Sequence, residues 1–196
     1  TEFCNRGSLA DWEEQDRLQR MTLGMQLALT LKEMHRLHIF HMNLRPENIL
    51  LLTEENRLSL RLTGFTFSHD INIDGPTFAA PIEPSLYIPP EMKRELAPAS
   101  PATDLWQLGN ILYFLKFGTF PFREIPPTYE TLFPTSLGDY PVHLWSFIQH
   151  LTTPPQDPLN LLIFDLFSLV PTRRPSAASV AECLAQWIER NTPPPQ

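Results

Sequence analysis

The sequence predicts a mainly α-helical domain that carries one small β-hairpin. Proline interrupts helices and central strands, and none of the chain's 21 prolines comes before Pro46. Two long apolar stretches with helical patterning are set apart from the proline-rich segments. A pair of short apolar runs joined by a polar turn supplies the hairpin. The length of 196 residues fits one domain with a substantial core.

The first predicted element is a helix over residues 16–37. Residues 21–31 contain no charged side chain and have apolar residues on more than one face, which indicates a helix buried on most sides. The apolar runs 49–52 and 58–62 follow, and the polar residues 53–57 between them predict a two-stranded hairpin.

The second half of the chain is predicted to be helical beyond a long loop. Residues 66–101 lack periodicity and are expected to form mostly loop, with a short helix near Glu91. A nearly all-round apolar helix is expected over residues 103–117, with Thr103 or Asp104 as its N-cap.

Three further helices are predicted after that. They lie near residues 142–151, at 159–169, and at 177–188 with Ser176 as the N-cap.

Composition and charge exclude several functions. The chain has 15 Lys and Arg against 22 Asp and Glu, a net charge of −7, without clustered cations. Nucleic acid and anionic membranes are therefore not expected as partners. The glycines are too widely spaced to form a phosphate-binding loop of the G-x-G-x-x-G kind. The two cysteines, Cys4 and Cys183, make no disulfide framework, so a cytoplasmic location is expected.

One segment and four shorter motifs carry a resemblance to a known family. The segment 41–50 resembles the catalytic loop H-R-D-L-K-P-E-N-I-L of protein kinases, and Gly64-Phe65-Thr66 stands where a kinase has D-F-G. Residues 87–91, 104–109 and 173–175 are similar to the A-P-E, D-x-W-x-x-G and R-P motifs, in the same order.

The resemblance covers about residues 2–188 and implies a protein kinase C-lobe-like fold. Residues 2–9 look like a kinase hinge, and the small lobe with its Gly-rich loop is expected to be missing from this chain. The predicted organisation is a C-lobe-like domain over residues 1–190 with a proline-rich tail at 191–196.

Several positions depart from the kinase pattern. Asn43 replaces the loop aspartate that accepts the substrate proton, and Gly64 replaces the metal-binding aspartate of D-F-G. Met42 replaces the loop arginine, while Arg45 and Asn48 are the residual phosphate-directed cation and metal ligand. The sequence therefore predicts no catalytic residues, no bound cofactor and no metal.

The resemblance assigns structural roles to five residues. His41 is expected to pack beneath the hairpin, Asp104 to bind the catalytic-loop backbone, and Phe65 to keep its motif position. Glu91 and Arg174 are expected to form the buried pair that ties the activation segment to the last helices.

A histidine metal site is the alternative interpretation of one cluster. His35, His38 and His41 are spaced three apart. His41 lies past the helix end, and no cysteine or carboxylate completes a tetrahedral set, so metal binding is not predicted.

The predicted function is that of a catalytically inactive pseudokinase domain, not an enzyme, which acts as a protein-interaction or scaffold module. Similar isolated C-lobes occur in the non-catalytic C-lobe (KIND) domains. The expected partner is a protein, or a second copy, on the surface that would face a small lobe. The alternative is a fragment of an atypical nucleotide-dependent transferase, or of a kinase that lacks its small lobe.

Overall fold

The computed structural model describes residues 4–13, 16–74, 87–89, 91–92, 98–121 and 157–193. The helix predicted near residues 142–151 lies outside these ranges, as does much of the loop predicted at 66–101. Among the described residues no helix is long and apolar enough to cross a membrane. The cytoplasmic location stays a prediction.

Five α-helices are defined in the part of the chain that the structure describes. They are α1 (Arg17–Arg36), α2 (Ile71–Asp74), α3 (Pro101–Phe117), α4 (Pro158–Leu166) and α5 (Ala177–Asn191). Short 3-10 turns occupy Pro46–Asn48, Phe65–Phe67 and Pro171–Arg173.

Helix ends agree with the prediction at two places and differ at two others. The Asp16 and Ser176 side chains accept hydrogen bonds from backbone N–H groups in the first turns of α1 and α5. Helix α3 begins at Pro101 with Ser100 as N-cap, not at Thr103 or Asp104. Proline suits a first helical position because its missing N–H has no partner there in any helix. Helix α5 extends through Asn191, into the segment predicted as tail.

Four short strands form two antiparallel pairs among the described residues. Strands β2 (Ile49–Glu54) and β3 (Arg57–Leu62) form the predicted hairpin. Its two turn residues, Glu55 and Asn56, both have positive φ, which matches the twist of a tight hairpin turn. Strands β1 (Ile39–Phe40) and β4 (His69–Asp70) pair with each other.

The segment before α1 docks along the free edge of β2. Gly7 O accepts a hydrogen bond from Leu51 N at 2.9 Å, and Leu9 N donates to Ile49 O at 2.8 Å. The segment predicted to resemble a hinge therefore continues the hairpin as an irregular third strand.

The main core lies between α1, α3, α4 and α5, with one face of the hairpin packed onto it. Trp106 and Leu108 of α3 are fully buried there, together with Leu27 and Leu31 of α1. A second, smaller cluster contains Phe40, Met42, Met92 and Ala99. The loop between β1 and β2 runs over both clusters, which fixes where its polar residues emerge.

Candidate functional site

The loop of residues 41–48, called the catalytic-type loop below, is held from beneath by two buried side chains of α3. Asp104 and Gln107 are three positions apart, so they project from the same face of the helix. Asp104 is fully buried and Gln107 is 3% exposed. Neither side chain can reach water, so both need partners in the protein.

Asp104 binds the start of the loop. Its carboxylate accepts hydrogen bonds from His41 N at 2.9 Å and Met42 N at 2.7 Å. His35 of α1 places Nε2 2.9 Å from the same carboxylate. The structure therefore gives Asp104 the loop-binding position that the resemblance implies, and adds His35 to it.

Gln107 also binds the backbone of the catalytic-type loop. Its Oε1 accepts from Leu44 N at 2.8 Å, and its Nε2 donates to Met42 O at 3.1 Å. Sequence reasoning missed Gln107, although its spacing from Asp104 carries the signal. His35 had been weighed only as a metal ligand. Among the described residues no cluster of three or more metal-type side chains exists.

Met42 explains how the loop does without an arginine at this position. Its φ is +64°, a left-handed conformation that is unfavourable for a residue with a side chain. The side chain is 9% exposed and packs with Phe40, Met92 and Ala99. Apolar contact therefore occupies the place where a charged side chain would need a partner.

His41 joins the loop to the end of β3. The ring is fully buried, Nε2 lies 3.0 Å from Thr63 O, and Nδ1 accepts from Asn43 N at 3.3 Å. Burial lowers the pKa of this imidazole, although the nearby Asp104 charge acts in the opposite direction. One donating and one accepting nitrogen fit the neutral ring. Phe65 packs edge-on against it at 4.8 Å.

Asn43, Asn48 and Gly64 lie together at the open side of the loop. Asn48 Nδ2 donates to Asn43 O at 2.9 Å, and Asn43 Nδ2 lies 3.5 Å from Gly64 O. Gly64 has a φ of +77°, and a Cβ placed there would lie 2.5 to 2.6 Å from the Asn48 amide atoms. The Asn48 amide thus fills the space next to the glycine.

This donor set does not fit a divalent cation held by the protein. Mg²⁺ prefers carboxylates together with phosphates and water. Asn48 offers one neutral amide oxygen, and Gly64 offers no side-chain ligand.

Arg45 is the one arginine or lysine within the catalytic-type loop. Its Nε donates to Glu47 at 3.0 Å, and its guanidinium lies 5.8 Å from the centre of the Tyr87 ring. Burial, followed by the Glu47 charge, raises the pKa of Tyr87 to about 12, so the phenol stays protonated. The Arg45 side chain remains 40% exposed. It is free to turn toward an anionic group.

A second buried charged contact is the Glu91–Arg174 pair. The Arg174 side chain is fully buried and donates to Glu91 Oε2 at 2.8 Å, to Ser168 O at 3.0 Å and to Ala102 O at 2.8 Å. Its guanidinium also lies over the Trp106 ring at 5.0 Å. The arrangement connects the segment before α3 with the turn before α5.

The folded helices, the catalytic-type loop on α3 and the ion pair to the last helix together define a protein kinase-like domain. The chain belongs to the protein kinase domain family, whose model matches residues 1–187.

Individual relatives agree with this family. The chain is 33% identical over 184 residues to a calcium and calcium/calmodulin-dependent serine/threonine-protein kinase of Lilium longiflorum, covering 90% of this chain and 33% of that protein. It is 27% identical over 198 residues to the serine/threonine protein kinase OSK3 of Oryza sativa, covering 98% and 35%. It is 26% identical over 174 residues to MAP kinase-activated protein kinase 2 of Oryctolagus cuniculus, covering 85% and 44%. The chain spans less than half the length of each.

The prediction of a catalytically inactive scaffold that is not an enzyme is wrong. The family match and the relatives, which are named as protein kinases, point to an enzyme. The replacements at Asn43 and Gly64 do not by themselves establish a loss of activity. Phosphoryl transfer depends mainly on positioning and electrostatics, and the α3 side chains still hold the loop backbone in place.

Proposed function

We propose that this chain forms the catalytic-loop lobe of a serine/threonine-kinase-type phosphotransferase. The observation that carries the proposal is the support of the loop by α3. Asp104 and Gln107 together bind three loop N–H groups and one carbonyl, with distances of 2.7 to 3.1 Å. Such complete anchoring beneath a partly exposed polar surface favours a site that positions reacting groups.

In this proposal Asn43 orients the substrate hydroxyl. Its amide oxygen has no hydrogen-bond partner among the described residues, so it can accept a bond from a serine or threonine hydroxyl. The hydroxyl oxygen of the substrate then bonds to the γ-phosphorus of ATP as the bond from that phosphorus to the ADP oxygen breaks. An amide cannot take up the hydroxyl proton, so the proton passes to a phosphoryl oxygen or to solvent.

Arg45 supplies positive charge toward the transferred phosphoryl group. When the Arg45 guanidinium leaves Glu47 for the γ-phosphoryl group, it exchanges a singly charged carboxylate for a doubly charged phosphate. The stronger charge of the phosphate favours this exchange. Arginine also offers several donors in a fixed plane, which suits phosphate oxygens.

The test is transfer of labelled phosphate from ATP to serine and threonine peptides by the protein. Asn43→Ala is expected to lower the rate about a hundredfold, as loss of positioning does in other enzymes. Asn191→Ala is the matched control, because this exposed residue at the end of α5 is remote in sequence from the loop. Equal rates for the protein and Asn43→Ala would remove the proposal.

We further propose that a protein surface covers the face above the loop, supplied by a partner or by a second copy of this chain. Phe65 is 49% exposed and Phe67 is 36% exposed in the 3-10 turn that follows β3. Exposed aromatic side chains are enriched where a surface contacts another protein.

Cross-linking from a photoreactive group at position 67 tests this contact. A partner or dimer adduct is expected from position 67, and none from the same group at Ile73, which is 82% exposed on α2. Equal labelling from both positions, or none from position 67, would argue against a covered face.

A further inference from the structure

A cavity of about 480 Å³ opens between the C-terminal half of α1 and the first turns of α3 and α5. None of the loop residues 41–48 lines it. We call it the α1–α3–α5 cavity. Its volume lies within the usual range for small-molecule sites, which is roughly 300 to 1,000 Å³. Its walls are mainly apolar side chains: Pro101, Ala102, Leu105, Pro171, Ala177 and Ala178.

The polar side chains that line the cavity differ in how many of their hydrogen-bonding atoms already have partners in the protein. Arg174 lines it, but its guanidinium is occupied by Glu91 and by two backbone carbonyls. His35 lines it with Nε2 turned to the Asp104 carboxylate. These two side chains are committed to the protein and leave little capacity for a ligand.

Lys32 is different. It lines the cavity, its side chain is 46% exposed, and its Nζ forms a long, exposed ion pair with the Glu33 carboxylate at 3.9 Å, which is beyond hydrogen-bond distance. The ammonium group therefore keeps donors for a ligand at the rim. Ser100 and Ser176, the N-caps of α3 and α5, also line the cavity, and the first turn of a helix adds partial positive charge.

None of the described residues that line the cavity carries a negative charge. An apolar interior with a cation at its rim complements a molecule with an apolar body and an anionic end. A neutral apolar molecule would leave Lys32 unused, and a cationic one would be repelled by it. A peptide backbone would bring polar groups into apolar walls that offer it few partners.

We propose that the α1–α3–α5 cavity binds a small aliphatic carboxylate. The hydrocarbon chain lies against Ala102, Leu105 and Ala178, and the carboxylate binds Lys32 at the rim. This ligand site is separate from the proposed phosphoryl-transfer site and does not depend on it.

The experiment is calorimetric titration of the protein with sodium octanoate, and in parallel with octanamide and octylamine. Octanoate is expected to bind with the highest affinity. Octanamide should bind about fivefold more weakly, since one exposed charge contact contributes up to about that factor. Octylamine should bind more weakly still.

Variants locate the site. Ala178→Trp fills the cavity and is expected to weaken octanoate binding by about tenfold or more, because the apolar contacts are lost. Ala185→Trp is the matched control. It is an exposed alanine two turns further along α5 that does not line the cavity, and its substitution should leave binding unchanged.

Charge variants test the rim. Lys32→Gln should weaken octanoate about fivefold and leave octanamide unchanged. Arg36→Gln, on the same helix but outside the cavity, should change neither. Equal affinity for octanoate and octylamine, or unaltered octanoate binding by Ala178→Trp, would overturn the proposal.

Discussion

The underside and the open side of the catalytic-type loop are built from different kinds of contact. Beneath the loop, Asp104 and Gln107 are almost fully buried and every bond they make is directed at a loop backbone group or at His35. On the open side, Asn43 and Arg45 are partly exposed and make few bonds, some of them long.

The difference separates two requirements of one site. Loop shape depends on buried polar groups that cannot be exchanged without leaving others unpaired. The chemistry at the open side depends on side chains that contact solvent and can be exchanged at little cost to folding. Asn43 and Gly64, which stand at the two kinase aspartate positions, therefore affect the chemistry at the open side of the loop. They do not imply that the loop backbone has lost its arrangement.

The largest effect is expected from Asp104→Ala. Two buried N–H groups and the His35 ring lose their acceptor, and together these losses should reduce the free energy of unfolding by roughly 5 kcal/mol. Urea unfolding followed by circular dichroism measures it. Asp11→Ala, which loses one surface bond to Ser8, should cost less than about 1 kcal/mol. Similar losses of unfolding free energy in both variants would show that the buried contacts beneath the loop do not stabilise the protein more than a surface contact does.

A somewhat smaller loss is expected from Arg174→Met. It leaves Glu91 without its partner, and Glu91 keeps one-fifth of its side chain exposed, so we expect about 3 kcal/mol. Arg173→Met is the control, since Arg173 is the exposed neighbour in the same turn. The expected result is a lowered urea midpoint for Arg174→Met alone. An unchanged urea midpoint would mean that the Glu91–Arg174 pair does not contribute to the stability of the folded protein.

The next effect distinguishes backbone strain from steric contact at Gly64. Gly118 has nearly the same φ, +72° against +77°, but no atom of the described residues lies within 4 Å of the position that a Cβ would take there. Gly118→Ala should therefore cost about 1 kcal/mol from conformation alone, and Gly64→Ala should cost about 1 to 2 kcal/mol more because of Asn48. In unfolding experiments, Asn48→Ala combined with Gly64→Ala should recover that excess. Equal costs for the two glycines would contradict the contact.

The smallest effect is a pH dependence at the other end of α3. Burial opposes ionisation of Asp157, but its bonds with Lys116 and Leu159 N outweigh burial and lower the pKa of the carboxyl below its ordinary value. A lowered pKa stabilises the folded protein above the ordinary pKa, and this stabilisation is lost as the pH falls through the lowered value. In thermal unfolding experiments, lowering the pH from about 5 to about 3 should therefore reduce the melting temperature of the protein more than that of Asp157→Asn. An identical pH dependence of the two proteins would contradict the shift.

Sequence patterns predicted the elements that depend on local order. The apolar spacing of α1, the paired runs of β2 and β3, and the Ser176 cap each follow from neighbours along the chain. The resemblance to kinases also gave the positions of Asp104 and of the Glu91–Arg174 pair.

Other features depend on contacts between distant residues. Gln107 binds residues more than sixty positions earlier, and Met42 is stabilised by packing against Met92 and Ala99. The spacing of Gln107 from Asp104 shows that the two side chains share a helix face, but it does not show which distant residues they contact, and the packing of Met42 leaves no periodic signal. The contact between Asn48 and Gly64 likewise arises only when the loop folds against the end of β3.

The central claim is that Asn43 serves the transfer reaction by positioning the hydroxyl and not by taking its proton. The direct test is the ratio of phosphoryl-transfer rates of Asn43→Asp and the unchanged protein as a function of pH, because titrations common to both proteins cancel in the ratio. An aspartate ionises near about pH 4, so the ratio should rise between about pH 4 and about pH 6 and then stay level. A ratio that does not change with pH, or the absence of transfer by the unchanged protein, would contradict the account.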